Sequence, residues 1–443
     1  MRDMVRAQLW PLPTLGVVLA VTAGVGLPRL DARIHHDIPP WLTDYLFGGS
    51  ADAASTVLEA IAGSLISVTA LTFSLTVVTL QLASSQFSPR LLRTFTADRY
   101  VQTTLALFLA TFTYALTVLR TVRTGDDGQV MFVPQVSVTA AFLLTLASVL
   151  GLVLFLSHLA REIRVETMMR SVHSAANRTI HRLLSPRDLA ARDSSASLQP
   201  PIDALPLPAD RSGFLIAVDE EALLKAAVEA DAVLLIDRHP GSSLIADTPM
   251  GAAWPRTGES FSPETGTRLA RKAAEAVSTG AERTDAQDVA FGLRQLTDII
   301  AKALSPGIND PTTAVHALSH SSALLCELAH RDLHPRLLRD GQHQVRVVLQ
   351  GPDLDDLLDL AMTQPLRYGA AEPAVLTRIL MLLRELAWNT TPDQHPPIVA
   401  ALARLRSTAT AQDFHAAERA GLTELAQQVE QAMAGRWTND RSH

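Results

Sequence analysis

A chain of 443 residues with 38 Lys and Arg against 45 Asp and Glu has a formal charge of -7 and no long basic run. That excludes nucleic acid as a partner, because phosphate neutralisation needs clustered cations. The single cysteine, Cys326, excludes an internal disulfide framework and argues against a cysteine-based zinc site. The length calls for two or three folding units, and the 47% of hydrophobic residues crowd into residues 1–160, a membrane-protein pattern.

Four stretches, 11–29, 57–83, 101–120 and 134–160, are apolar and long enough to cross a bilayer, which takes about 20 residues. The first follows Arg2 and Arg6 but lacks a convincing cleavage site, so it reads as a retained helix rather than a signal peptide. Arg90, Arg93 and Arg99 follow the second span, and Arg161, Arg164 and Arg170 follow the fourth. These segments are therefore expected on the cytoplasmic side. The loop 30–56, with Asp31, Asp37, Asp44 and Asp52, and the short loop 121–133 fit the outer side. The chain is thus expected in the bacterial inner membrane, in contact with the lipid bilayer, with both termini cytoplasmic.

The second span is dense in hydroxyls. At 100° per residue, Thr69, Thr72, Thr76 and Thr79 share one side, while Ser64, Ser67, Ser74, Gln81 and Ser85 gather on nearly the opposite one. Small hydroxyl residues allow close helix packing and bond across or back to their own backbone. Alternatively, one stripe packs while the other faces a wet pathway built from several copies of this helix. No span carries a central Asp, Glu, Lys or Arg, which counts against an ion-coupled transporter.

Beyond the fourth span, residues 161–184 keep a helical period, and SPRDLAARDSSASLQPPIDALPLPADRSG reads as a linker. The pattern then turns β-rich in GFLIAVD and AVLLIDRHPGSSLI, with a helix between them. From about 264 it becomes mainly helical, interrupted by a strand-like HQVRVVLQG. The expected organisation is a four-helix transmembrane domain (1–160), an amphipathic helix and linker (161–211), a small β-module (212–262), a helical cytosolic domain (263–434) and a tail (435–443). The fold class is an α-helical multi-pass membrane domain plus a cytosolic α+β region.

Within 299-IIAKALSPGINDPTTAVHAL-318 a helical pattern stops and restarts. Arg294, Asp298 and Lys302 recur at i,i+4 and form a charge ladder, ordinarily a solvated helix face. Pro306 and Gly307 stop the helix, and Asp310 before Pro311 is a helix start, the carboxylate accepting an orphan N–H of the first turn. Ser305 and Asn309 are left without a stated task. They sit where an anion, held by the helix start beside Lys302, or a cation, held by Asp298, Asn309 and Asp310, would bind. His316 and His320 lie one turn apart without a third ligand, so no metal is assigned. A Ser305–Lys302 nucleophile pair lacks an oxyanion hole or pocket in the sequence, which makes an enzyme the weakest of the readings. No catalytic residue and no cofactor are assigned.

Two strings, LQLASSQFSPRLLRTF and ERTDAQDVAFGLRQLTDIIAKALSPGINDPTTA, closely resemble the bacterial membrane-protein family called domain of unknown function 2254. The likeness extends over nearly the whole chain. The matching positions are Gln81, Ser84, Ser85, Gln86, Ser88, Pro89 and Arg90, then Arg283, Asp288, Arg294, Asp298, Ala303, Leu304, Ser305, Pro306, Gly307, Asn309, Asp310 and Pro311. The resemblance implies a multi-pass inner-membrane protein with a cytosolic C-terminal region, and it supplies no activity. His316 and His320 are not part of that pattern.

Two functions are therefore expected to compete. One is a homo-oligomeric channel or pore-like transport protein, lined by the Ser or Thr stripe of the second span. The other is a membrane-anchored sensor or scaffold that binds a ligand or partner through Arg283, Asp288, Arg294, Asp298, Lys302, Ser305, Asn309 and Asp310.

Overall fold

The computed structural model describes residues 10–34, 46–86, 98–123, 132–162, 164–187, 199–256 and 260–437. Ser88, Pro89, Arg90 and Arg93, named above, lie outside the described residues, as do the side chains of Ser84, Ser85 and Gln86. The chain divides into two compact units, 1–167 and 168–443.

The first unit contains α1 (Pro11–Ile34), α2 (Ala51–Gln86), α3 (Arg99–Leu119) and α4 (Gln135–Glu162). All four are long and apolar enough to cross a membrane. At 1.5 Å per residue the 36 residues of α2 extend roughly 54 Å, well beyond an ~30 Å hydrocarbon core. Leu58, Ile61 and Leu65 of α2 pack with Tyr114, Ala115 and Val118 of α3 and Val138 of α4. Helix α1 lies so close to α3 that a Cβ on Gly24 would sit 2.7 Å from the Cβ of Thr117. Small residues allow this approach between membrane helices.

Polar ties fix the ends of the bundle. Asp31, 4% exposed, lies at the end of α1 and accepts hydrogen bonds from the Ser137 N–H at 3.0 Å and the Ser137 hydroxyl at 3.1 Å. The buried carboxylate thus complements the positive N-terminus of α4. At the other end of α4, His158 Nε2 donates to Asp98 at 2.6 Å, while Asp98 also caps α3 through the Tyr100 N–H.

The second unit begins within α5 (Val165–Leu183), whose Met169, Val172, Ala176 and Ile180 are buried at helical spacing. A five-stranded sheet follows in the order β1-β5-β3-β8-β7, and a three-stranded sheet in the order β4-β2-β6. The strands are β1 (Leu205–Pro208), β2 (Gly213–Val218), β3 (Ala232–Ile236), β4 (Ser243–Leu244), β5 (Pro249–Pro255), β6 (Val277–Gly280), β7 (Arg336–Arg339) and β8 (Val345–Leu349). Strand β3 is buried at every residue, as its unbroken AVLLI run requires of a central strand. It pairs with β8 in parallel, through Leu234 opposite Val347 and Ile236 opposite Leu349. Helices α6 (Glu220–Glu229) and α7 (Pro263–Glu275) bury Leu223, Ala227, Leu269 and Ala273 in the same core.

The sheets take β6, β7 and β8 from beyond residue 262, and β1 from the Pro-rich stretch before 212. β1 is an edge strand, the position where Pro206 and Pro208 interrupt no interior ladder. The remaining helices are α8 (Phe291–Ala303), α9 (Pro311–Ala329), α10 (Leu354–Tyr368), α11 (Pro373–Trp388), α12 (His395–Thr410) and α13 (Ala416–Met433). Buried charges join elements here. Arg346 donates to Asp340 at 2.7 Å and Asp231 at 2.6 Å, and Arg378 on α11 donates to Ser319 of α9 and to Glu385. Four apolar helices followed by an α+β region match the fold class expected from sequence.

Candidate functional site

The two polar stripes of α2 have opposite surroundings. Thr69, Thr72, Thr76 and Thr79 are buried within the first unit, whereas Ser64, Ser67, Ser74 and Gln81 are exposed. The buried hydroxyls mostly bond back along the helix: Thr69 donates to the Leu65 carbonyl at 2.6 Å, Thr76 to Thr72 at 2.8 Å and Thr79 to Leu75 at 2.8 Å. Thr72 Oγ1 is buried with no partner among the described residues. The exposed stripe does likewise, with Ser64 donating to the Ala60 carbonyl and Ser67 to the Gly63 carbonyl. Its hydroxyls leave lone pairs on a face that also carries Gly63, Leu71 and Val78, all exposed.

In the second unit, Arg283 and Asp288 form a buried ion pair. Arg283 Nη2 and Nε donate to Asp288 Oδ2 at 2.6 and 2.9 Å, and the other carboxylate oxygen accepts the Ala290 N–H at 3.0 Å. The Asp288 side chain is 2% exposed. Burial pushes its carboxyl above the usual range, against the opposing pull of the Arg283 guanidinium. Gly241 presses on this pair. Its φ of +93° is left-handed, and a Cβ there would lie 2.3 Å from Asp288 Oδ2 and 2.5 Å from Arg283 Nη2. Only glycine meets both requirements. The turn His239–Gly241 is also tied to β2 by the Gly241 N–H, which donates to the Leu215 carbonyl at 2.8 Å.

Beside that turn a cleft of about 110 Å³ opens at the carboxyl ends of the parallel strands β3 and β8. Val218, Val289, Leu333 and Leu349 give it an apolar wall. Arg238, His239, His334 and Arg336 are the basic groups in its lining, and Glu220 and Asp332 the acidic ones. Gln287 also lines it and is held by Val218, accepting from its N–H at 2.9 Å and donating to its carbonyl at 3.3 Å.

The charge ladder and the corner lie elsewhere. Arg294, Asp298 and Lys302 are half-buried along α8, and Ser305, Asn309 and Asp310 follow its C-terminus. The Arg283–Asp288 pair precedes its N-terminus. The 13 residues of α8 measure roughly 20 Å, so the eight second-unit residues singled out by sequence do not converge on one pocket. The Ser305 hydroxyl donates to the Lys302 carbonyl at 2.6 Å, and the Asp310 N–H to the Ala303 carbonyl at 2.8 Å. Asn309 takes a left-handed φ of 50°, a conformation its short polar side chain tolerates. Asp310 caps α9 by accepting from the Thr313 N–H at 3.0 Å and the Thr313 hydroxyl at 2.6 Å. These bonds hold its carboxyl below the usual range. His320 faces His173 of α5, their ring centres 5.2 Å apart. Among the described residues no group of three or more His, Cys, Asp or Glu is placed to hold a metal ion.

Of the candidates in the second unit, Arg283 and Asp288 alone adjoin the cleft, behind its 239–241 turn. Its lining comes from separate loops, a juxtaposition that sequence spacing does not reveal. The available signal was the HPG turn that directly follows the AVLLID run.

The family model for "Predicted membrane protein (DUF2254)" matches residues 6–385. Uncharacterized protein Rv1290c of Mycobacterium tuberculosis (strain H37Rv) is 35% identical over 387 residues, 87% of this chain and 73% of the relative. Uncharacterized protein Mb1321c of Mycobacterium bovis is similar to the same extent, 35% identical over 387 residues. No solved structure matches the chain.

Proposed function

Since the chain belongs to the DUF2254 family of predicted membrane proteins, we propose that it is a homo-oligomeric, pore-like protein of the bacterial inner membrane, with both termini cytoplasmic and a regulatory soluble unit. The observation that carries this reading is the division of α2. Its threonine side is buried within one copy, while Ser64, Ser67, Ser74 and Gln81 are left uncovered on the other. A polar face in hydrocarbon is costly. Several copies of α2 turned toward a common axis would place it on water, with the threonine side holding each subunit together. The lack of a central charged residue in any span suits a passive pathway better than a coupled pump. The arginines that follow spans two and four support the orientation. Purified protein in planar bilayers should show unitary conductance steps under voltage or tension, and a verified oligomer that never conducts contradicts the reading.

A second reading, a membrane-anchored sensor, is favoured by the cleft at the ends of β3 and β8. Ligand binding to the folded state would then raise the melting temperature of the whole protein with some member of a metabolite panel, and a panel without any shift contradicts it.

A further inference from the structure

We propose that the cleft at the carboxyl ends of β3 and β8 binds a small monocarboxylate with a compact apolar body, either a short branched chain or a single ring. This deepens the sensor reading and rests on it.

Position comes first. The chain leaving β3 turns back toward β4, whereas the chain leaving β8 runs on into α10. The segments that follow both strands, 238–240 and 350–352, line the cleft, at the carboxyl ends of adjacent parallel strands, where α/β sheets hold ligands. Size comes next. A cavity of about 150 Å³ accepts benzene, so a cleft of about 110 Å³ suits a ligand of one ring or a few carbons and excludes burial of a whole nucleotide. The wall of Val218, Val289, Leu333 and Leu349 would take its apolar body.

The sign of the head group follows from which charges are already matched. Glu220 receives both Arg336 nitrogens, at 2.7 and 2.9 Å, and Asp332 accepts from His334 Nδ1 at 2.8 Å. A cationic ligand would have to compete with those pairs. Arg238 is less committed: its Nε lies 3.4 Å from Asp237, and both side chains are about half exposed, an arrangement of little worth. His239 donates from Nδ1 to the Pro240 carbonyl at 2.9 Å; with the proton of a neutral ring on Nδ1, Nε2 is an acceptor, so the donors for an anion come from Arg238. A carboxylate entering here meets the Arg238 fork, whose planar donors match its two oxygens.

The buried Arg283–Asp288 pair then acquires a task. Packed against Gly241, it fixes the turn that carries Arg238 and His239, so Arg283 and Asp288 are positioning residues for the cleft.

The test uses the full chain in lipid nanodiscs, with benzoate as probe and benzamide as its uncharged isostere, titrated by ligand-observed NMR. Benzoate should bind at least tenfold more tightly than benzamide, about the ratio set by one hydrogen bond to a charged group. Arg238→Gln should remove that preference by lowering benzoate affinity at least tenfold. Equal binding of the two probes, or an Arg238→Gln variant with undiminished benzoate affinity, overturns the proposal. Benzamide binding without benzoate binding overturns the carboxylate class and leaves the sensor reading standing. If neither probe binds, the proposal falls. The sensor reading falls with it only when Leu333→Trp, which fills the cleft, leaves every melting-temperature shift in the metabolite panel unchanged.

Discussion

Both units bury polar side chains, and they satisfy them differently. In the second unit, two buried arginines reach across elements, Arg346 to Asp231 and Arg378 to Ser319, while Arg283 and Asp288 pair within the segment that joins β6 to α8. In the membrane unit, most hydroxyls return to their own helix, as Thr69, Thr76, Ser64 and Ser67 do. Cross-helix bonds there include those of Asp31, Asp98–His158 and Thr111–Ser148. Cross-element pairs specify one arrangement of the α+β fold. A hydroxyl bonded to its own carbonyl specifies no particular neighbour, so the serine face of α2 is left open to water or to another copy.

The largest effect is expected at Arg283, where a buried charge meets its partner. Arg283→Met leaves a carboxylate that is 2% exposed without its partner and should cost about 3–5 kcal/mol in denaturant unfolding of the full protein. Adding Asp288→Asn should restore much of the loss. A double variant no better than the single one would mean that packing, rather than the unpaired charge, sets the cost.

Asp31→Ala comes next. It removes a buried carboxylate from the N-terminus of α4 and should cost about 1–2 kcal/mol, the largest effect of any hydroxyl or carboxylate replacement in the membrane unit. Asp310→Ala should cost about 1 kcal/mol as a lost helix cap. Because the folded state holds the Asp310 carboxyl below its unfolded value, its contribution is present above pH ~4 and is lost as pH falls through the folded value. Unfolding measured from neutral to acid pH should therefore show the wild type and Asp310→Ala converging in acid. Asp288 has the opposite sign. Its raised carboxyl favours the folded state below the unfolded value, and that contribution is lost as pH rises through the folded one.

The smallest effect is expected at Thr76. Thr76→Val should change stability by less than about 0.6 kcal/mol, the average for side-chain hydrogen bonds inside membrane bundles, because its hydroxyl serves its own helix. A loss comparable to that of Asp31→Ala would break the contrast between the two units.

What could be read from sequence follows the range of the interactions. The four spans, the two stripes of α2 and the Asp310 cap rest on local composition and helical period, and all are visible before folding. The strand β8 was visible as HQVRVVLQG. Its parallel pairing with β3 was not, since Leu234 and Val347 meet across more than a hundred residues. β1 was hidden in a proline-rich stretch because the edge of a sheet tolerates what its interior does not. Arg283 and Asp288 were visible as motif members, but their burial depends on Gly241, and the cleft beside them on loops scattered from Val218 to Pro352. Asp31 read as a loop acid, because nothing near it in sequence announces that it meets Ser137.

Cysteine labelling in intact membrane vesicles reads out whether the serine face of α2 meets water in the assembled protein. Cys326 is the chain's single cysteine, and its thiol, pushed up to about 11 by burial, is removed as Cys326→Ser to give a clean background. Ser67→Cys and Ser74→Cys should then react with a charged, water-soluble thiol reagent far faster than Phe73→Cys, which is also exposed in one copy and is expected to face lipid. Labelling of Ser74→Cys no faster than that of Phe73→Cys would instead place the serine face of α2 in lipid.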